Sequence, residues 1–90
     1  MNLPRRPPRR LEDLSPEAQA WVHAVRTAAS AKGLRLEGGR ADLAIGLGCG
    51  LMFHARCKAD GHPEVMPPYL EPLAELVGVT IAEVEAVGVA

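Results

Sequence analysis

The chain has 90 residues, of which 48% are hydrophobic and 23% are charged, a composition typical of one globular domain rather than a disordered segment. Its short length leaves little room for a large active-site cleft. Only three residues are aromatic, so the core must be built from Ala, Val and Leu, which favours helix packing over a β-sandwich. The composition therefore predicts an all-α fold.

The charges are distributed unevenly along the chain. Residues 1 to 58 contain all ten basic residues and five acidic ones, whereas residues 59 to 90 contain six acidic residues and no basic one. A positive half on a chain of net charge -1 is the pattern expected when one side of a protein meets phosphate and the other does not.

Neither a membrane segment nor a disulfide framework is evident. No window reaches the roughly 18 consecutive apolar residues that a membrane-spanning helix needs, and prolines stand where a signal peptide would have its apolar stretch. Cys49 and Cys57 are too few for a small secreted domain, and we expect both to remain thiols. We expect a cytoplasmic protein with no membrane partner.

Residues 1 to 14 are predicted to form an extended basic arm in front of a globular domain over residues 15 to 90. Three prolines in this segment remove backbone donors and disfavour helix in the residues before them. Four arginines in the arm are able to track a phosphate backbone or enter a minor groove, the alternative being a solvated tail. They are Arg5, Arg6, Arg9 and Arg10.

The first helix of the domain is marked at both ends. Ser15 is an N-cap residue, Pro16 occupies the first helical position, and Gly33 ends the helix after a basic residue. Apolar residues recur between them at spacings of three and four, and Trp21 is expected to anchor the core.

Four further short helices are predicted. Residues 40 to 47 and 51 to 58 form two of them around a turn at residues 48 to 50, because each interior glycine costs a helix roughly 1 kcal/mol relative to alanine. A helix over residues 69 to 77 follows, and Thr80 begins the last one with a capping box. The result is a compact bundle of about five short helices.

This pattern resembles the XRE-like helix-turn-helix family of phage Cro and lambda-type repressors. The resemblance covers roughly residues 17 to 87. Its residues are Gly33-Leu34, the run Leu43-Ala44-Ile45-Gly46-Leu47-Gly48-Cys49, and Leu70, Leu73, Ala74, Val77, Gly78 and Val79 before the capped last helix.

The resemblance implies a sequence-specific DNA-binding transcriptional regulator, a phage or bacterial repressor that reads an operator as a homodimer. Helix 51–58 would enter the major groove, and the last helix is a candidate for the dimer seam. The implied contacts to double-stranded DNA come from the arginines of the arm and from Arg40, Met52, Phe53, His54, Arg56 and Lys58.

An alternative follows from the apolar start of the predicted recognition helix. Family members usually have polar residues there, whereas this chain has Leu51, Met52 and Phe53. A contiguous exposed apolar patch commonly marks a protein interface, so the fold could instead be a protein-binding module, such as a phage or accessory factor that docks on a host protein.

Metal-binding and enzymatic functions are less favoured. Cys49, His54, Cys57 and His62 are suitable zinc ligands, but their spacing is not that of a common zinc module. The chain has no phosphate loop, no nucleophile elbow and no suggestive pair of carboxylates. We expect no metal, no cofactor and no enzymatic activity.

Overall fold

A computed structural model describes residues 11–61 and 67–88 of the chain. These residues form an all-α globule in which a short 3-10 helix, Leu11–Asp13, precedes four α-helices, and they contain no strand. Residues 1 to 10, which hold the four arginines of the predicted arm, lie outside the described residues. The helices are α1 (Pro16–Ala31), α2 (Gly39–Ala59), α3 (Leu70–Val77) and α4 (Ile81–Val87).

Helix α1 begins and ends where the sequence predicts. The Ser15 hydroxyl accepts a hydrogen bond from the backbone N–H of Ala18 at 3.2 Å, and Pro16 occupies the first turn. At the other end Gly33 has a φ of +77°, a left-handed conformation that glycine adopts without steric cost. Trp21 packs against the core as a partly buried residue, as expected.

Helix α2 differs from the prediction. It runs without interruption from Gly39 to Ala59, so the predicted turn at residues 48 to 50 is wrong and the two short helices are one. Neither Gly48 nor Gly50 has a positive φ. The described residues therefore contain four α-helices rather than about five, and the helix-turn-helix is not confirmed.

Close packing explains two of the glycines of α2, Gly48 and Gly50. A β-carbon at position 48 would lie 2.8 Å from the Cα atom of Val22, and one at position 50 would lie 2.6 Å from a methyl group of Leu70. Real β-carbons do not approach other heavy atoms that closely. The helix tolerates the conformational cost of glycine at these positions because α1 and α3 need the space.

The last two helices are confirmed. Helix α3 ends at Gly78, whose φ of +106° lies in the left-handed region. Helix α4 begins with the predicted capping box, in which the Thr80 hydroxyl accepts from the backbone N–H of Glu83 and the Glu83 carboxylate accepts from that of Thr80. Reciprocal bonds of this kind satisfy two donors that a helix start would otherwise leave unpaired.

Helix α1 is the structural partner of both α2 and α4. It crosses α2 antiparallel, because Glu17 lies beside Arg56 and Val22 lies against Gly48. At the far end of α1 the Lys32 ammonium donates to the Gly78 carbonyl oxygen at 3.0 Å and reaches the Glu83 carboxylate at 3.2 Å. The largest fully buried side chains between the helices are Leu47, Leu51, Leu70, Val22, Val25, Val77, Val79 and Val84.

None of the helices in the described ranges combines the length and the hydropathy that crossing a bilayer requires.

Candidate functional site

Helix α2 has one side inside the domain and one side turned away from it. Among the described elements, α1 and α3 make most of its contacts. Residues on the opposite side are exposed or half-buried, and we call this side the outer face of α2. It consists of Asp42, Ile45, Gly46, Cys49, Phe53 and Arg56, of which Ile45 borders Val22 and Arg56 borders Glu17 at the edge nearest α1.

Phe53 is the most conspicuous residue of the outer face. Its side chain is 61% exposed, although phenylalanine is among the residues most often found inside proteins. A second aromatic, Tyr69, is 54% exposed, and its hydroxyl lies 3.1 Å from the position that a β-carbon on Gly50 would take. Because Gly50 is one helical turn before Phe53, both aromatic side chains lie along the same part of α2.

The outer face is apolar in the middle and charged at its ends. No charged side chain occurs in α2 from Leu43 to Phe53. Asp42 is exposed at one end, and Arg56 is exposed at the other. A central apolar area with a charged rim is the usual anatomy of a protein–protein interface.

The structure separates the basic residues that the DNA-binding prediction groups together. Arg40 lies in the first turn of α2 and Lys58 in the last, about 27 Å apart at the helical rise of roughly 1.5 Å per residue. Both are exposed. Arg56 is 3.4 Å from the Glu17 carboxylate, in an ion pair whose two side chains are 62% and 47% exposed.

Three further predicted contact residues differ in accessibility. Phe53 is exposed, whereas Met52 is half-buried and its sulfur lies 4.0 Å from the Ser15 hydroxyl. His54 is only 6% exposed, so its ring is not available to a DNA groove. The period of 3.6 residues per turn places His54 on the inner side of α2 together with Leu47 and Leu51.

Helical geometry also corrects the predicted protein-binding patch. Leu51 is 2% exposed and belongs to the core, so the contiguous surface of Leu51, Met52 and Phe53 does not exist. Consecutive residues point in directions about 100° apart on an α-helix, and only Phe53 of the three is exposed.

The four candidate zinc ligands are not brought together within the described ranges. Cys49 and Cys57 are both half-buried free thiols eight residues apart on α2, which separates them by about 12 Å along the helix axis. One zinc ion, with ligands at roughly 2.0 to 2.3 Å, cannot bind both of them. His62 lies outside the described residues, and no group of three potential metal ligands is found among the residues that are described.

The Glu83 carboxylate, whose pKa is shifted, lies away from the outer face, where the end of α1 meets α4. The backbone N–H of Thr80 and the ammonium group of Lys32 both donate to the Glu83 carboxylate, which lowers the pKa of Glu83 below its ordinary value of 4.5. Both bonds favour the charged form of the carboxylate. This arrangement links the end of α1 to the start of α4.

Several residues of the outer face were not predicted as functional. Asp42 and Ile45 are not among the predicted contact residues, and Cys49 is predicted only as a possible zinc ligand, because the predicted turn at residues 48 to 50 separates this part of the helix from Phe53 and Arg56. Two signals in the sequence identify this surface once the turn is removed. One is the uncharged run from Leu43 to Phe53, and the other is the seven-residue spacing of Asp42, Cys49 and Arg56.

Comparisons with known proteins assign no family. The chain matches no protein-family model, no curated protein and no solved structure. The resemblance to XRE-like regulators therefore stays a prediction made from the residues quoted above.

Proposed function

We propose that this chain is a small helical interaction module that binds another polypeptide through the outer face of α2. The observation that carries the proposal is Phe53, an aromatic side chain with 61% of its surface exposed near the end of an uncharged stretch of helix. Exposed aromatic side chains of this kind are enriched in the central parts of protein interfaces.

The charges of the domain support a protein rather than a nucleic acid as the partner of this face. The described ranges contain six basic and ten acidic residues, and the outer face has one residue of each sign. Contacts with DNA rely on several cationic side chains that neutralise phosphates, and the middle of the outer face has none.

The experiment compares two equally exposed apolar residues on different helices. Full-length protein is immobilised, exposed to nuclease-treated lysate of the organism that encodes it, and washed. Phe53→Asp should abolish specific capture, whereas Leu76→Asp on α3 should retain it, because Leu76 is 62% exposed but lies away from the outer face. Equal capture by both variants and the unchanged protein would contradict the proposal.

A DNA-binding regulator, acting as a homodimer, is the second candidate, and one observation favours it. The start of α1 lies beside the end of α2, as the contacts of Ser15 with Met52 and of Glu17 with Arg56 demonstrate. The four arginines precede Leu11, however, which lies further along α1 beside His23, Arg26 and Ser30, so they would supply phosphate contacts together with Arg26 rather than with Arg56.

Salt dependence tests this second candidate. If the four arginines each neutralise a phosphate, affinity for a random DNA duplex should fall roughly 10²-fold between 50 and 200 mM salt. Replacing all four by alanine should remove most of that dependence, and Arg56→Ala and Lys58→Ala should each weaken binding from a few-fold to about tenfold. No binding at low salt would exclude this function.

A further inference from the structure

We propose that the polypeptide bound at the outer face of α2 is a second copy of this chain, arranged antiparallel about a two-fold axis that passes beside Cys49. This inference rests on the proposed function, because it identifies the partner of the same surface. It differs from the dimer seam that the sequence predicts on α4, where Ile81 and Val84 are buried in the core of their own chain.

The residues of the outer face are spaced symmetrically along α2 about one central residue. Asp42, Cys49 and Arg56 are seven residues apart, so at about 100° per residue each is displaced by only about 20° from the previous one. They form one nearly straight row along α2. Cys49 is the midpoint of that row, and it is also the midpoint between Ile45 and Phe53.

The charges select the antiparallel arrangement. When two copies of α2 pack antiparallel with Cys49 at the centre, Asp42 of each copy comes level with Arg56 of the other. A parallel arrangement would place Asp42 opposite Asp42 and Arg56 opposite Arg56, and like charges in such positions disfavour pairing. The outer face is thus electrostatically complementary to itself in one orientation, which is the requirement of an isologous dimer.

The apolar residues fit the same arrangement. Phe53 of one copy comes nearly level with Gly46 of the other and lies on the same flank of the helix pair, because the two residues are about 40° and 60° from Cys49 around the helix. Gly46 has no side chain, so the aromatic ring of Phe53 has room to pack against the partner's helix there. Burial of two copies of Phe53 removes the largest apolar side chain of the outer face from water.

The residues at the ends of the row are accessible to a partner. Asp42 is exposed, and the Arg56 side chain remains 62% exposed in its ion pair with Glu17. An exposed ion pair contributes little to stability, so Arg56 can reach a carboxylate of the partner without disrupting the domain.

The arrangement makes a specific prediction about the two cysteines. Packed helices have axes roughly 8 to 10 Å apart, which leaves about 3.5 to 5.5 Å between Cα atoms that meet at the centre. This range overlaps the roughly 4.4 to 6.8 Å that a disulfide spans, so the two Cys49 residues can be joined. The two Cys57 residues would be about 24 Å apart along the axes and cannot be joined.

The experiment is oxidative crosslinking of full-length protein with diamide, which takes two electrons and two protons from a pair of thiols. The unchanged chain and Cys57→Ser should give a covalent dimer on a non-reducing gel, whereas Cys49→Ser should give none. Sedimentation equilibrium under reducing conditions should show a dimer. Phe53→Asp should raise the dissociation constant of this dimer at least tenfold, whereas Leu76→Asp should leave it unchanged.

Charge reversal tests the orientation independently of the thiols. Asp42→Arg and Arg56→Asp should each weaken the dimer, and the two substitutions in one chain should restore it, since they exchange the two ends of the row. Circular dichroism melting of each variant identifies any that fails to fold. The doubly substituted chain also lacks the contact between Arg56 and Glu17, so recovery of its dimer would show that losing this contact does not by itself weaken pairing.

The outcomes distinguish this inference from the proposed function. A monomer at all concentrations, together with capture of another polypeptide that depends on Phe53, would overturn the second copy as partner and retain the interaction module. Crosslinking through Cys57 in place of Cys49, or no recovery in the doubly substituted chain, would overturn the antiparallel arrangement. A dimer unaffected by Phe53→Asp would contradict both proposals.

Discussion

Val22 and Gly48 are in contact through backbone atoms rather than side chains alone. A β-carbon at position 48 would lie 2.8 Å from both the Cα and the nitrogen of Val22, so the two helices cross at a point where only glycine fits. This contact fixes the distance between α1 and α2 and, with it, the direction of the outer face.

We predict that Gly48→Ala destabilises the domain by about 1 to 3 kcal/mol, the usual cost of forcing extra volume into a packed site. The rigid backbone of Val22 cannot move aside as a flexible side chain can. Gly39→Ala is the matched control within the same helix, because nothing lies within 4 Å of the position that its added β-carbon would take, and its φ is not positive. Urea denaturation of both variants measures the difference. Equal stability of the two would contradict the close crossing.

The end of α3 provides a second prediction about a glycine. Gly78 has a φ of +106°, and a β-carbon there would lie 2.7 Å from a methyl group of Leu34. We expect Gly78→Ala to cost at least about 1 to 2 kcal/mol, because an L-residue is strained in a left-handed conformation. Thermal denaturation checks this, and a melting temperature equal to that of the unchanged protein would refute it.

Leu51 and Phe53 should respond oppositely to truncation. Leu51→Ala should cost about 2 to 5 kcal/mol, since Leu51 is buried in the core. Phe53→Ala should change the stability of the monomer by no more than about 0.5 kcal/mol, because most of its side chain is already in water. Denaturation is measured at protein concentrations below the dissociation constant of any dimer, so that the stabilities of the monomers are compared. A larger loss for Phe53→Ala would place Phe53 in the core.

The carboxylate of Glu83 should contribute a pH-dependent part of the stability. Its bonds with Thr80 and Lys32 lower its pKa in the folded state, so the contribution is present above the ordinary value of 4.5 and disappears as the pH falls through the folded-state pKa. We therefore expect Glu83→Gln to be less stable than the unchanged chain at neutral pH, and the difference to shrink on acidification. A difference that stays constant from pH 7 to pH 3 would contradict this.

The ends of the helices were predictable because local chemistry determines them. Ser15 with Pro16, Gly33, and the pair of Thr80 and Glu83 are short-range signals, and the structure confirms each. Such signals act within one turn of the chain and need no tertiary contact.

The middle of the chain could not be predicted in the same way. Gly48 and Gly50 have low helix propensity and indicate a turn when only local preference is considered. In the structure they are helical because α1 and α3 pack against them, a tertiary contact that composition and spacing do not reveal. The same error concealed the outer face, whose residues Asp42 and Phe53 were assigned to two different helices.

The continuity of α2 has a thermodynamic consequence for anything that binds the domain. A single rigid element carries the buried contacts of Leu47 and Leu51 on one side and Phe53 on the other, with no loop in between to absorb movement. A ligand that binds the solvent side of α2 therefore binds only the folded domain. The melting temperature of the domain should rise with the concentration of this ligand, by mass action.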